Sequence, residues 1–137
     1  MIRFHAIESA FDFKNRMATR RWLNTCIKNE GRKPGEINII FCDDEYLLKI
    51  NKEFLGKNDL TDIITFDFSE NEKIISGDLY ISFERVRANA KEFNVTFSEE
   101  ICRVMVHGVL HLLGYGDKKK EEKQVMRQKE DDLLSLL

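Results

Sequence analysis

ICRVMVHGVLHLLGYGD, residues 101–117, holds two of the chain's three histidines four residues apart, and then breaks at Gly114 and Gly116. Ile101, Val104, Met105 and Leu110 recur at the steps of an apolar helix stripe. Thr96, with Glu99 three residues on, matches a capping box at the start of this helix; Ser98 is the alternative cap. Gly114 is placed to end the helix in the left-handed conformation. Helical residues four apart lie one above the other, with about 5–6 Å between their Cβ atoms. Two imidazoles so placed can reach one ion at about 2.0–2.1 Å each. A catalytic zinc typically takes a third protein ligand and leaves the next position for water. Gly114 and Gly116 allow a sharp return of the chain, and Asp117 is the first strong ligand after them. The spacing thus predicts a metal set of His107, His111 and Asp117 at the end of a central helix. The same residues also admit two half-buried histidines bonded to backbone carbonyls, with Asp117 capping the last helix. Gly108 follows His107, where the H-E-x-x-H pattern of zinc peptidases carries its glutamate base. That argues against a peptidase of this type, and the glycine is expected to leave open space beside the metal.

Outward from this helix, the chain alternates between strand and helix patterns. Val86, Ala90 and Phe93 mark a helix before it, and a last amphipathic helix follows from about Lys118 to Leu134. Gly77-Asp78 introduces a strand with Leu79, Ile81 and Phe83 on one face and Asp78, Tyr80 and Ser82 on the other. Residues 69–76 read as a polar loop, and Ile63 to Phe66 as a strand. Asp43 or Asp44 can cap a helix bearing Tyr46, Leu47, Ile50 and Phe54, which ends before Gly56. INIIFC, residues 37–42, reads as a buried strand. Residues 11–30 look helical through Phe13, Met17, Arg20, Leu23 and Ile27, stopped by Gly31 and Lys33-Pro34-Gly35. Ile2, Phe4 and Ala6 alternate as a weak opening strand. The order predicts an α+β fold over residues 1–137: one domain with a small mixed sheet of about four strands packed with about five helices.

At 137 residues the chain suits a single core, and 42% apolar with 34% charged residues is an ordinary soluble composition. No N-terminal stretch has signal-peptide shape, and no run approaches the ~20 apolar residues that span a bilayer. A cytoplasmic location without membrane contact is the expectation. Cys26, Cys42 and Cys102 are odd in number and far apart, so they read as buried free thiols rather than a disulfide framework or zinc ribbon. A net charge of −2 argues against bulk electrostatic nucleic-acid binding. The charge is uneven, however. Residues 12–33 hold seven basic residues against two acids, and residues 43–78 hold ten acids against four lysines. The basic stretch can serve a phosphate backbone, or can simply be a solvated helix face.

Three blocks of this chain together resemble the YbeY family of bacterial rRNA maturation factors, described as metal-dependent, single-strand-specific endoribonucleases. The first is His107-Gly108-Val109-Leu110-His111-Leu112-Leu113-Gly114-Tyr115, similar to the family's H-G-x-L-H-L-x-G-Y-D-H. The second is Asn51-Lys52-Glu53-Phe54-Leu55 leading into Thr61-Asp62-Ile63-Ile64-Thr65-Phe66, and the third is Gly77-Asp78-Leu79-Tyr80-Ile81-Ser82. The resemblance implies a zinc-dependent endoribonuclease with one Zn2+ per chain, though another divalent metal would serve. It implies single-stranded rRNA as substrate, a role in rRNA maturation and ribosome quality control, and the small ribosomal subunit or a ribosomal protein as partner. The competing implication is a non-catalytic ribosome-assembly factor that binds rRNA and keeps a structural metal. Two positions depart from the family. Its third metal histidine falls at Asp117, which should make bound water less acidic and favour harder ions. Its arginine after the aromatic, a residue type suited to holding phosphate, falls at Leu55. Arg103, one turn before His107, is the candidate replacement guanidinium; the alternative is an exposed arginine paired with Glu99 or Glu100. Asp62 and Asp78 are the candidate proton acceptors, and a turn or cap role is open to both.

Overall fold

The β-branched and aromatic runs become strands and the segments between them helices, in a computed structural model that describes residues 1–7 and 11–137. The elements run β1 (Ile2–Ala6), α1 (Arg16–Asn29), β2 (Lys33–Cys42), α2 (Asp44–Leu55), β3 (Ile63–Asp67), β4 (Ile74–Ser82), α3 (Phe83–Phe93), α4 (Phe97–Leu112) and α5 (Lys120–Leu134). The sheet order is β1-β2-β4-β3. β2 pairs in parallel with both β1 and β4, and β3 closes the edge antiparallel to β4. This is the mixed four-stranded sheet with five helices, among the described residues, that the pattern predicts: an α+β fold.

Each face of the sheet has its own cover. Ile37, Ile39, Phe41, Leu79 and Ile81 join residues of α1 and α4 in the main core. A smaller cluster on Cys42, Leu47, Ile50 and Ile64 seats α2 on the sheet. α4 is central because it is apolar nearly all round: Ile101, Val104, Met105, Val106, Val109 and Leu110 are all buried. Only the stripe Arg103, His107, His111 stays half-exposed among its middle residues. Thr96 Oγ1 accepts from the Glu99 amide at 3.1 Å, so Thr96 rather than Ser98 is the cap. At the other end Gly114 has φ +101. Its N–H donates to His111 O at 3.0 Å and the Tyr115 N–H to Leu110 O at 3.0 Å, the paired bonds of a Schellman close.

Four boundaries differ from the sequence expectation. The first helix starts at Arg16, not at residue 11, and the chain before it inserts Phe11 and Phe13 among Phe4, Phe41 and Phe83. Side chains two apart share a face only on extended backbone, so these rings belong to an approach segment and not to a helix stripe. β2 begins at Lys33 and passes through Pro34 and Gly35. Pro34 is tolerated because β1 pairs with β2 only from Ile37 onward, leaving β2 an edge strand at that point. β4 begins at Ile74, and Phe83 opens α3 with Ser82 as its N-cap, accepting from the Arg85 amide at 3.1 Å.

Cys26, Cys42 and Cys102 are free and buried, as expected. Burial pushes the thiols of Cys26 and Cys42 up to about 12 and that of Cys102 to about 11. No helix is long and apolar enough to cross a membrane, among the described residues.

Candidate metal centre

His107 and His111 stand on successive turns of α4, and the bend after Gly114 returns Asp117 to the same face. His107 Nε2 and His111 Nε2 are 3.1 Å apart. Asp117 Oδ2 lies 3.2 Å from His111 Nε2 and 3.3 Å from His107 Nε2. Three donors about 2.0–2.1 Å from a tetrahedral zinc are about 3.3–3.4 Å apart. The observed triangle fits that requirement, and the donor set of two neutral imidazoles and one carboxylate suits zinc or a somewhat harder divalent ion. With no ion the same three atoms can be joined only by a proton, carried between His107 Nε2 and His111 Nε2 or Asp117 Oδ2.

The remaining ring nitrogens are engaged too. His107 Nδ1 meets Glu130 Oε2 at 2.6 Å, and His111 Nδ1 meets the Tyr115 carbonyl at 3.0 Å. A carboxylate on one imidazole and a backbone carbonyl on the other fix the tautomer that turns Nε2 toward a metal. The alternative reading of histidines bonded to backbone is thus half true, and compatible with ligation.

Glu130 is only 5% exposed and is held in turn by Arg103, whose Nη1 donates to Glu130 Oε1 at 3.0 Å. Arg103 Nη2 donates to Asp131 Oδ1 at 2.7 Å. Arg103 is therefore paired with acids of α5, and not with Glu99 or Glu100. Burial pulls the His107 imidazole down, but the Glu130 bond and charge, with Asp117 and Asp62, outweigh it and hold His107 above the ordinary value. A second brace ties the bend itself. The Tyr115 hydroxyl donates to Glu30, and Lys129 reaches Glu30 Oε2 at 3.2 Å while lying over the Tyr115 ring. Glu30, Tyr115 and Lys129 thus anchor the backbone whose carbonyl orients His111.

A cavity of about 360 Å³ opens beside His107 and Asp117, with Asp62, Glu100, Lys123 and Arg127 also on its wall. Burial raises the Asp62 carboxyl, partly offset by His107 and by backbone N–H groups. Burial likewise raises Glu100, and the neighbouring Asp62 charge adds to it. Asp62 is therefore brought to the metal residues, whereas Asp78 is not. Asp78 accepts from Asn38 Nδ2 at 3.1 Å and lines a separate groove with Tyr46 and Phe54 on the α2 side of the sheet. Its neighbour Leu79 is the one that points to α4.

Gly108 corrects another expectation. A Cβ there would meet Leu79 Cδ2 at 2.6 Å and Ile63 Cδ1 at 2.7 Å. The glycine faces the sheet and permits close packing of α4; it opens no space beside the two histidines. Leu55 is half exposed at the end of α2. In the basic stretch, Arg16, Arg20 and Arg32 donate to the carbonyls of Phe13, Ile2 and Leu113, and Lys14, Arg21, Lys28 and Lys33 are exposed.

Sequence reasoning missed Glu130 and Tyr115. The signal for Glu130 was a carboxylate in step with Met126 and Leu133 on the buried stripe of α5, where a lone charge is costly. Tyr115 acts through its carbonyl, for which no side-chain pattern exists.

The chain is similar to known proteins over nearly its whole length. Residues 2–137 match the family model described as Endoribonuclease YbeY. A relative from Flavobacterium johnsoniae, named Endoribonuclease YbeY, is 49% identical over 136 residues, covering 99% of this chain and 96% of that protein. One of the same name from Cytophaga hutchinsonii is 47% identical over 133 residues, covering 97% and 93%. A solution structure of a protein from Thermotoga maritima superposes with a TM-score of 0.70 at 28% identity, over 98% of this chain and 87% of that one.

Proposed function

Because the chain belongs to the Endoribonuclease YbeY family, we propose that it is a zinc-dependent endoribonuclease that cleaves single-stranded RNA. The carrying observation is the triangle of His107, His111 and Asp117 donor atoms, 3.1 to 3.3 Å apart, at a cavity that also holds Asp62. The relatives' name supports RNA as the substrate class. rRNA maturation and ribosome quality control, a small-subunit or ribosomal-protein partner, and a cytoplasmic location belong to the same proposal.

His107, His111 and Asp117 would hold the ion, which would supply Lewis acidity toward a phosphoryl oxygen and lower a water's pKa toward about 7, less far than with a third histidine. The chain's own groups do the rest. Glu130 keeps the His107 proton on Nδ1, and the Tyr115 carbonyl does the same for His111, so both Nε2 lone pairs point inward. Asp62, raised by burial, accepts the proton of the attacking water at a carboxylate oxygen. Arg103 acts as a positioning residue: it holds Glu130 and thereby the His107 ring.

Leu55 favours a second reading, a non-catalytic assembly factor, because the position lacks the guanidinium that a phosphate would use. Metal content and RNA cleavage separate the two. Protein purified without chelator is expected to carry near one ion per chain, lost in His111→Ala and weakened in Asp117→Ala. Zinc-loaded protein should cleave single-stranded RNA, and His107→Ala should not. If wild type and His107→Ala treat RNA alike, the catalytic reading is wrong and the assembly role remains.

A further inference from the structure

The metal cavity has a flank that the catalytic reading does not use. Lys123 and Arg127 are four apart on α5, both exposed, and both line the cavity of His107 and Asp117. Residues so spaced share one helix face. Arg103 in the same wall is committed to Glu130 and Asp131 at 3.0 and 2.7 Å. Arg127 only approaches those acids, at 4.0 Å, and is 65% exposed. At the end of α3, Phe93 borders the same cavity with 58% of its surface exposed. Phe93 also borders a neighbouring groove that Arg127, Leu134 and Leu137 share. Exposed cations beside an exposed ring are the parts of a surface that tracks single strands: charge for the backbone, a flat apolar face for a base.

We propose that Lys123, Arg127 and Phe93 form the RNA-binding flank of the metal cavity, the two cations holding phosphates and Phe93 stacking one unpaired base. The assignment rests on the endoribonuclease reading for its ligand. It supplies the phosphate-binding charge that Leu55 removes, from α5 instead of α2. Charge also fits. The wall carries Asp62, Glu100, Asp117 and Glu130 against Arg103, Lys123 and Arg127, a net negative set that a divalent ion turns net positive. A bound divalent ion would therefore favour a polyanion at this wall. Stacking on Phe93 requires a base free of its complement, which selects single strands.

The test uses the zinc-loaded full chain and a fluorescent RNA strand with phosphorothioate linkages, which keep the backbone charge and resist hydrolysis, read by anisotropy across a salt series. Lys123→Ala with Arg127→Ala should weaken binding at least tenfold at low salt. It should also flatten the slope of log K against log salt by about 0.7 per cation removed. Phe93→Ala should weaken binding roughly 5- to 100-fold, and should bind an abasic strand as wild type does. Zinc content and thermal melting should stay at wild-type values, because these side chains are exposed and ligate nothing. Wild-type affinity and slope in the double variant would overturn the proposal. So would a Phe93→Ala loss as large on the abasic strand as on the intact one. If wild type binds through these residues yet cleaves no RNA, the nuclease reading fails alone. If it cleaves RNA and all variants bind as it does, the flank fails alone.

Discussion

Replacing Glu130 by glutamine keeps the side chain's shape and removes its charge from His107 and Arg103. The 2.6 Å contact to His107 Nδ1 is short, as a charge-assisted bond is. Partners of this kind typically account for a 10- to 100-fold difference in metal affinity. That corresponds to about 1.4–2.7 kcal/mol, and burial of Glu130 places the expected loss in the upper half of the range. The fold should suffer less than when a fully buried pair is broken, which costs about 3–5 kcal/mol. Arg103 keeps Asp131 at 2.7 Å and its side chain is 22% exposed, so about 1–2 kcal/mol is expected. The pH dependence gives a second readout. A metal binds only neutral His107, and Glu130 helps hold His107 above its ordinary value. Wild-type zinc affinity should therefore keep rising with pH beyond about 6.5, the unperturbed imidazole value. In Glu130→Gln the plateau should arrive at lower pH, so the affinity gap narrows on acidification. The metal-free protein has the opposite sign. A raised histidine stabilises the fold fully below its unfolded value of about 6.5, and this is lost as pH climbs through the folded value. Competition with a chromophoric chelator from about pH 6 to about 8.5 covers the window. Equal zinc affinities with superimposable pH profiles in the two proteins would refute the bracing role.

Gly108→Ala should destabilise the protein by about 1–3 kcal/mol from overpacking against Leu79 and Ile63, less up to ~1 kcal/mol regained in helix propensity. A melting temperature at or above wild type would show that α4 does not lie that close to the sheet. None of the three thiols should react with a disulfide reagent in the native protein near neutral pH, since burial raises each to about 11 or 12. All should react in denaturant, and rapid native labelling of any one would contradict its buried position.

The legible parts of this protein are those that depend on residues close in the chain. The capping Thr96, the Gly114 stop and the two histidine turns between them follow from helix geometry alone. Asp117 follows from the first ligand type after a glycine bend. The α+β order was readable because each strand and helix carried its own apolar period. The errors arose where period and neighbour disagree. Phe13 sits at a helical step from Met17, yet with Phe11 it fills a core of rings that only extended chain can reach. Ile74 and Ile75 follow a polar stretch, and the pairing of Ile75 with Pro34 makes them strand.

The sequence by itself determined that His107, His111 and Asp117 would meet, because an i, i+4 pair and a nearby bend are fixed by backbone geometry within a few turns of helix. Tertiary structure alone decided which groups stand behind those three side chains. Glu130 reaches His107 from 23 residues away, and Glu30 reaches Tyr115 from 85. It also decided between two aspartates that look alike in the chain. Strand alternation gives β4 two faces, but only the packing of α4 on the Leu79 side puts Asp62 in the cavity of His107 and Asp117 and leaves Asp78 across the sheet. A side chain's role at this site depends on which surface the central helix buries, and that is settled by how the whole core packs rather than by any one segment's pattern.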